Sequence, residues 1–306
     1  MIEIYRKTLK SAYIQRLRDI KVGTWINVVN PNEKEIRKLI AKTRISRQFI
    51  EDAFDIYEVP RIEEKDGIFY ILTRTPYKDV SGLITVPLLI ILTPENIITL
   101  SAQPIDFFQD FISEKVQFYT TQKAKLLIQI FLKISHAYEK YVKFIARNIQ
   151  SKKIILKKLE NKDIVNLVEW EEVLNNFITS LVPNISVFER ILRGKFIPLY
   201  KEDEELIEDL VVASRQSLEL CKTSIKSIVN TREAYSTILT NNLNKIIKFL
   251  TSITIILTIP TIIASIYGMN IALPFAKNPL AFGYISLWML ILMLLLFWFF
   301  YKKRWL

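Results

Sequence analysis

Two apolar stretches near the end of the chain decide its fold. Residues 246–266 read IIKFLTSITIILTIPTIIASI, and residues 280–301 read LAFGYISLWMLILMLLLFWFFY. Each is about 21 residues long, the length that an α-helix needs to cross about 30 Å of hydrocarbon. The connection begins with YGMN (267–270) and is too short for anything but a turn. The sequence therefore predicts that residues 246–306 form two membrane helices with a short outer loop.

Charge predicts the orientation of these spans. Lys245 and Lys248 lie at the entry to the first span, and Lys302–Arg304 follow the second. Because cytoplasmic flanks of membrane spans carry excess Lys and Arg, we expect a multi-pass protein of the cell membrane with both termini cytoplasmic. The formal net charge of +11 suits a solvated surface near anionic lipid. No recognisable basic module indicates nucleic-acid binding.

Several classes of protein are not indicated. Met1–Lys10 lacks the apolar run of a signal peptide. The single cysteine, Cys221, excludes an internal disulfide and suits a reducing compartment. The only histidine, His136, lacks a Cys or His partner at ligand spacing. Without a nucleophile–base–acid constellation, we predict that the chain is not an enzyme.

Residues 1–120 combine strand-like and helical patterns separated by turn signals. The pattern predicts a cytoplasmic α+β domain with a largely antiparallel sheet. The predicted helices are Asn32–Lys42 and Arg47–Tyr57, and the predicted strands are Trp25–Asn30, Val59–Glu63, Ile68–Thr75, Leu83–Thr93 and Ile97–Ser101.

From residue 121 onward the pattern is helical. Gln122–Leu159 and Asp163–Leu192 are amphipathic and predict a cytoplasmic helical hairpin over 121–200. No Pro or Gly lies between Leu199 and Pro260, so Glu204–Ile266 can be one helix about 95 Å long. Its part before the membrane, 201–245, is the predicted stalk helix. A helix of that length requires a bundle or neighbouring copies of the chain.

One face of this long helix is polar. Steps of four and three residues select twelve positions, and eleven of them are polar or small. Such spacing lies on one face of a helix in a left-handed bundle. This face, the polar stripe, comprises Asn230, Glu233, Thr237, Thr240, Asn244, Ile247, Thr251, Thr254, Thr258, Thr261, Ser265 and Gly268.

Two interpretations of the polar stripe remain open. In one, its Thr and Ser lie at helix–helix contacts, where small residues allow close approach and hydroxyls bond locally. In the other, the stripe lines water, which requires a ring of identical chains because one helix cannot enclose a channel. Ile247 and Leu250 would then form an apolar collar that can close a pore by dewetting.

The YGMN segment, after a long helix and before a short loop and a second span, resembles the CorA family of divalent-cation transporters. Residues 50–54 with 59–63 resemble that family's Glu-Asp and Arg-Pro segment, and 92–99 its core strand pair. The resemblance covers nearly the whole chain. It implies a homopentameric funnel in the lipid bilayer, with the five first spans around the pore.

The resemblance also implies which residues form the outer mouth of the pore. Asn270 would form a selectivity ring that Gly268 and Met269 shape, next to Tyr267. Mg²⁺ gives up its inner waters reluctantly, so a neutral amide ring can accept hydrogen bonds from the hydrated ion. The alternative is that Gly268 ends the helix and Asn270 caps the turn.

The family is gated by cytoplasmic Mg²⁺ bound between subunits, where carboxylates repel one another until a divalent ion bridges them. By position, Asp52 with Glu51 and Asp209 match the family's pair, and Glu233 continues the same face toward the pore. The alternative for Asp209 is an ordinary solvated acidic run.

The resemblance and the polar stripe together predict influx of Mg²⁺, and also of Co²⁺ or Ni²⁺, through a homopentameric pore gated by internal Mg²⁺. Two alternatives remain: a Zn²⁺ transporter of the same superfamily, with or without proton coupling, and a membrane-anchored sensor or scaffold. The outer loop contains Lys277 and no acid, whereas many relatives carry a carboxylate there; the preferred ion therefore stays open. The predicted lining runs from Glu233 through Thr240, Asn244, Thr251, Thr254, Thr258 and Thr261 to Asn270.

Overall fold

A computed structural model describes residues 1–80, 82–154, 159–193, 197–271, 274 and 280–306. These residues form two compact units, Met1–Asn230 and Thr231–Leu306.

The first unit is built on a seven-stranded mixed sheet. Its strands are β1 (Ile2–Arg6), β2 (Gln15–Leu17), β3 (Trp25–Val29), β4 (Arg61–Lys65), β5 (Ile68–Asp79), β6 (Gly82–Leu92) and β7 (Ile97–Ser101). Their spatial order is β2-β1-β3-β7-β6-β5-β4. All neighbours are antiparallel except β3 and β7, which run parallel with Trp25 opposite Ile97.

Helices cover both faces of this sheet. They are α1 (Glu33–Thr43), α2 (Arg47–Asp52), α3 (Phe108–Ile112), α4 (Lys123–Ile154), α5 (Asn161–Leu192) and the part of α6 (Lys201–Tyr267) that belongs to the first unit.

Alternate residues of each strand enter two separate cores. On β3, Ile26 and Val28 pack with Leu39 of α1 and Ile50 of α2. Trp25 points to the opposite face, where its core also contains residues of α3, α4, α5 and the first part of α6. This alternation follows from the two-residue repeat of a β-strand, and the sheet is therefore buried on both faces.

The predicted α+β class and long helices are confirmed, with local corrections. The prediction missed β1 and β2; β2 has only three residues and its pattern is mostly exposed. It ended β5 at Thr75, whereas the strand continues through Pro76. Pro76 lies beyond the residues of β5 that pair with β4, so one edge of the strand is open there and the missing N–H is tolerated.

The predicted helix Arg47–Tyr57 was too long, because α2 ends at Asp52. Beyond that point the amide of Phe54 donates to the Glu51 carbonyl, and the amide of Asp55 donates to the Asp52 carbonyl. These three-residue steps turn the chain out of the helix.

The backbone of Arg74 on β5 is anchored to two helices. Its amide donates to the Asn184 side-chain oxygen at 3.1 Å, and the Asn184 side-chain amide donates back to its carbonyl at 2.8 Å. The Tyr138 hydroxyl donates to the same carbonyl at 3.1 Å. The fully buried Asn184 therefore replaces a strand partner and joins α5 to the sheet.

The second unit contains the remainder of α6 and a second apolar helix, α7 (Ala281–Lys302). Two helices of the described chain are long and apolar enough to cross a membrane, Lys201–Tyr267 and Phe282–Lys302. Almost none of either apolar window is buried, unlike a core helix of a soluble protein.

Replacing Asn184 by Ala should lower the free energy of unfolding by about 1–3 kcal/mol, because the buried amide of Arg74 loses its partner and the Arg74 carbonyl keeps only the Tyr138 hydroxyl. Thermal unfolding of the full-length protein in detergent measures the change. Asn175→Ala, on the exposed side of the same helix, is the matched control. Equal melting temperatures for the two variants would contradict this role of Asn184.

Candidate pore-lining face and cation site

The second unit buries one side of α6. Ser252 and Ile256 are buried and Ile263 is partly buried. Because α7 is the only other helix described in this unit, this side of α6 is the one turned to α7. The least exposed side chains of α7 recur at helical spacing and form the matching face: Ile285, Ser286, Met289, Leu292, Met293, Leu296 and Phe300.

The polar stripe lies on the opposite side of α6. A helix advances about 100° per residue, which places Thr254, Thr258 and Thr261 about half a turn away from Ile256. All three side chains are exposed, and Thr251 is exposed as well. Within one chain the stripe is therefore not a contact with α7, and the helix–helix interpretation would require another copy.

Three hydroxyls of the stripe are oriented by their own helix. Thr254 donates to the Leu250 carbonyl at 2.9 Å, Thr258 to the Thr254 carbonyl at 2.7 Å, and Thr261 to the Leu257 carbonyl at 2.9 Å. Because a carbonyl oxygen can only accept, each of these three hydrogen bonds uses the proton of the threonine hydroxyl. Each threonine oxygen then presents only lone pairs away from the helix.

The predicted lining on the lower part of α6 is also exposed. Glu233, Thr240 and Asn244 lie on the open side of the helix. Ile247 and Leu250, the predicted apolar collar, are 51% and 62% exposed. The stripe is thus uncovered from Glu233 to the helix end in a single chain.

The YGMN segment ends α6 without a left-handed residue. The Gly268 amide donates to the Ala264 carbonyl at 2.9 Å and continues the helical pattern. Its φ is not positive, and the atoms that a Cβ there would meet are carbonyl oxygens of the preceding helical turn, with Ala264 O at 3.3 Å. Conformational freedom is therefore not what requires glycine at this position.

Next to it, Met269 and Asn270 are exposed. The Asn270 amide makes no hydrogen bond to any residue that the structure describes, so no turn-capping bond of its side chain is seen there. The Tyr267 hydroxyl makes a long hydrogen bond, 3.4 Å, to the Pro274 carbonyl. Lys277 lies outside the described residues.

Asp52, at the end of α2, is held by an arginine of the same chain. Arg61 Nη2 donates to Asp52 Oδ2 at 2.6 Å, and Arg61 also pairs with Glu58 and Glu63. Burial raises the pKa of the Asp52 carboxyl; Arg61 opposes this shift, while Glu58 and Glu63 add to it. Glu51 points elsewhere and pairs with Arg47.

Asp209 lies on a different element from Asp52. It is exposed on α6 and borders a groove against α4, whose other walls include His136 and Glu139. It makes no hydrogen bond or ion pair with the described residues. The structure does not join Asp52 to Asp209 within one chain.

The described residues contain no group of three or more His, Cys, Asp or Glu side chains placed to hold a metal ion. The carboxylates of Asp52 and Asp209 are hard oxygen donors that suit Mg²⁺, but one chain supplies too few of them together. A regulatory Mg²⁺ at these residues would need ligands from a neighbouring copy, as well as water.

The role of Arg61 was not predicted from the sequence, where residues 59–63 stood out only by their resemblance to a family segment. The available signal was its position among Asp52, Glu58 and Glu63, an arginine closely flanked by acids.

Comparisons with known proteins agree with this architecture. The family described as "CorA-like Mg2+ transporter protein" matches residues 21–303. The cobalt/magnesium transport protein CorA of Methanocaldococcus jannaschii is 25% identical over 293 residues, which are 92% of this chain and 90% of that protein.

Solved structures share the fold. The complete CorA magnesium transporter from the same organism aligns with a TM-score of 0.88 and 24% identity, over 100% of this chain and 99% of that one. The full-length CmaX protein aligns at 0.74 with 13% identity over 97% of both chains. The ZntB cytoplasmic domain from Vibrio parahaemolyticus aligns at 0.64 with 11% identity, over 78% of this chain and 98% of that one.

The family match covers nearly all of the chain, including both apolar helices. It confirms the predicted family, which is a family of membrane transporters and not of enzymes. This chain belongs to the CorA-like Mg²⁺ transporter family.

Proposed function

We propose that this chain carries Mg²⁺, and also Co²⁺ or Ni²⁺, into the cell through a pore formed by five copies. The observation that carries the proposal is the polar stripe on the side of α6 that α7 leaves open. In a family of Mg²⁺ transporters, an uncovered row of threonines within an apolar helix is best explained by contact with water.

A ring of copies follows from geometry. One α6 cannot surround water, but a closed ring of identical chains can turn every stripe toward one axis. In that arrangement α7 lies on the outer side of α6, against lipid. The number five comes from the resemblance to CorA proteins.

The lining suits a hydrated divalent cation. Because the hydroxyls of Thr254, Thr258 and Thr261 donate inward to carbonyls, their lone pairs can accept hydrogen bonds from the water around Mg²⁺. Asn270, with no partner among the described residues, can offer its amide oxygen at the outer mouth. Mg²⁺ can then pass with much of its hydration shell retained.

Charge supports the orientation of the chain in the membrane. Lys245, Lys248 and Lys302–Arg304 flank the spans on one side, which we assign to the cytoplasm. Residues 1–120, the helical hairpin 121–200 and the stalk 201–245 are then cytoplasmic. Only the loop after Asn270 faces outside.

Regulation is proposed to use acidic side chains of neighbouring copies. Asp52, with Glu51 beside it, and Asp209 would share cytoplasmic Mg²⁺ across a subunit interface. A cation bound there stabilises the closed ring, because it removes repulsion between the carboxylates.

Ion flux into liposomes that contain the purified protein tests the proposal. Mg²⁺, Co²⁺, Ni²⁺ and Zn²⁺ are compared side by side, with and without a pH gradient. We expect Mg²⁺ to enter without a proton gradient. Flux of Zn²⁺ alone would favour the zinc alternative, and no flux of any ion would favour a sensor or scaffold.

Replacing Asn270 by Ala should reduce Mg²⁺ flux to background while the oligomer stays assembled, because the outer amide ring is lost. Flux and size-exclusion chromatography measure the two properties. Asn242→Ala is the control, since Asn242 is exposed on α6 but lies off the stripe. Normal flux through the Asn270 variant would refute its role in selectivity.

Cysteines introduced at Thr254 and Thr258 should react with water-borne thiol reagents at least about tenfold faster than a cysteine at Ser252, because reaction needs a hydrated thiolate. Cys221 is buried and is first replaced by Ala. Similar slow labelling at all three positions would mean that the stripe is dry, which contradicts the pore.

Replacing both Asp52 and Asp209 by Ala should raise the cytoplasmic Mg²⁺ concentration needed for half-inhibition by about tenfold or more, because the closed ring loses the ligands that favour it. Flux at graded cytoplasmic Mg²⁺ provides the measurement. Glu205→Ala, in the same acidic run of α6, should behave like the wild type. If the double variant keeps the wild-type inhibition curve, this pair is not the sensor.

A further inference from the structure

Arg61 is enclosed by three carboxylates. Its Nη2 donates to Asp52, its Nη1 to Glu58 and its Nε to Glu63. Each nitrogen of the guanidinium therefore has a different acidic partner. The four side chains together carry two more negative charges than positive ones.

This arrangement is held in place by its surroundings. Asp52, Arg61 and Glu63 lie against a small apolar floor that includes Phe49 and Tyr70. These two rings stack with their centroids 3.9 Å apart. The Arg61 and Asp52 side chains are only 30% and 22% exposed.

The segment between α2 and β4 is tied down as well. The guanidinium of Arg74, itself buried, donates to the carbonyls of Ile56 at 2.6 Å and Glu58 at 3.1 Å. The backbone that carries Glu58 is thereby fixed to β5. Arg61 thus occupies a preformed cage rather than forming one of the mobile surface ion pairs that contribute little.

The cage bears directly on cation binding at Asp52. The guanidinium of Arg61 occupies Oδ2 of Asp52, and at short range it repels a divalent ion that would bind either oxygen of this carboxylate. Mg²⁺ can bind Asp52 fully only if Arg61 withdraws toward Glu58 and Glu63. Both of those carboxylates are in place to receive it.

We propose that Arg61 is a tethered cation that competes with cytoplasmic Mg²⁺ for Asp52 and thereby sets the Mg²⁺ concentration at which the sensor fills. The inference rests on the proposed role of Asp52 in sensing. Arg61 keeps the site from closing the pore at low Mg²⁺, and the remaining negative charge of the cage keeps a divalent ion favoured at high Mg²⁺.

The test is an Mg²⁺ titration of thermal unfolding with the full-length protein in nanodiscs. Arg61→Met should lower the midpoint of the Mg²⁺-induced stabilisation at least about fivefold, because the competing charge is gone. Arg61→Lys keeps the charge but not the fork of donors, so its midpoint should lie between those of Arg61→Met and the wild type. Unfolding in EDTA reports any general loss of stability separately.

Arg37→Met is the matched control. It removes one positive charge from α1, where Arg37 pairs with Glu33 on the exposed surface and with neither Asp52 nor Glu51. Its midpoint should stay within about twofold of the wild type, because exposed pairs are well screened.

Asp52→Asn separates the two hypotheses. If Asp52→Asn abolishes the Mg²⁺ response but Arg61→Met and Arg61→Lys leave the midpoint unchanged or raise it, Asp52 senses Mg²⁺ and the competition is overturned. If the wild type shows no Mg²⁺ response, or Asp52→Asn leaves it intact, the sensing role of Asp52 fails and the competition fails with it.

Discussion

A membrane helix has to satisfy its polar groups without help from hydrocarbon. In α6 the threonines of the polar stripe meet this constraint through their own backbone, with Thr254, Thr258 and Thr261 each donating to the carbonyl four residues earlier. Such bonds are common wherever Thr lies in a membrane helix, so by themselves they do not separate a pore from a dry contact. The burial pattern of α6 is the more informative observation. Ser252 and Ile256 are buried, whereas the threonine side is exposed in the single chain.

The same requirement applies to the first unit, Met1–Asn230, where buried charged side chains rather than hydroxyls need hydrogen-bond partners. The buried Arg74 guanidinium is surrounded by carbonyl and hydroxyl oxygens, including those of Ile56, Glu58 and Thr85. Burial lowers its pKa, and these acceptors offset the cost of keeping the charge inside. Arg61 lies nearer the surface and has three carboxylates instead. Arg74 therefore fixes the backbone of the segment after α2. Arg61 neutralises part of the negative charge that this segment carries.

Much of the fold followed from periodicity. Helices α5 to α7 were predicted within a few residues of their ends, because long amphipathic or apolar runs have little ambiguity. For α4 this holds at its start, and the predicted end at Leu159 follows residues 155–158, which lie outside the described residues. Short elements were harder: β2 was missed, and α2 was drawn too long because its apolar spacing continues after the helix has turned. Pro76 ended a predicted strand that in fact continues, since only the sheet order shows that its edge is open.

Some features of the candidate site could likewise be predicted from the sequence, and others could not. The polar stripe, the YGMN segment and the two spans were readable in the linear order of residues, because helical spacing alone places them. That order also sufficed to identify the family resemblance. Residues from separate elements were not readable in this manner. Three features depend on how distant segments pack. They are the ion pair of Arg61 with Asp52, the paired hydrogen bonds between Asn184 and the Arg74 backbone, and the choice of which side of α6 is buried.

By itself, then, the sequence determined two membrane helices, a polar row along the first of them and an α+β body, because local period and apolar length suffice for each. Only the tertiary structure decided that Asp52 already has a cationic partner and that the threonine row lies opposite the α7 contact. Both are relations between segments brought together by burial, and no local pattern in the chain encodes them.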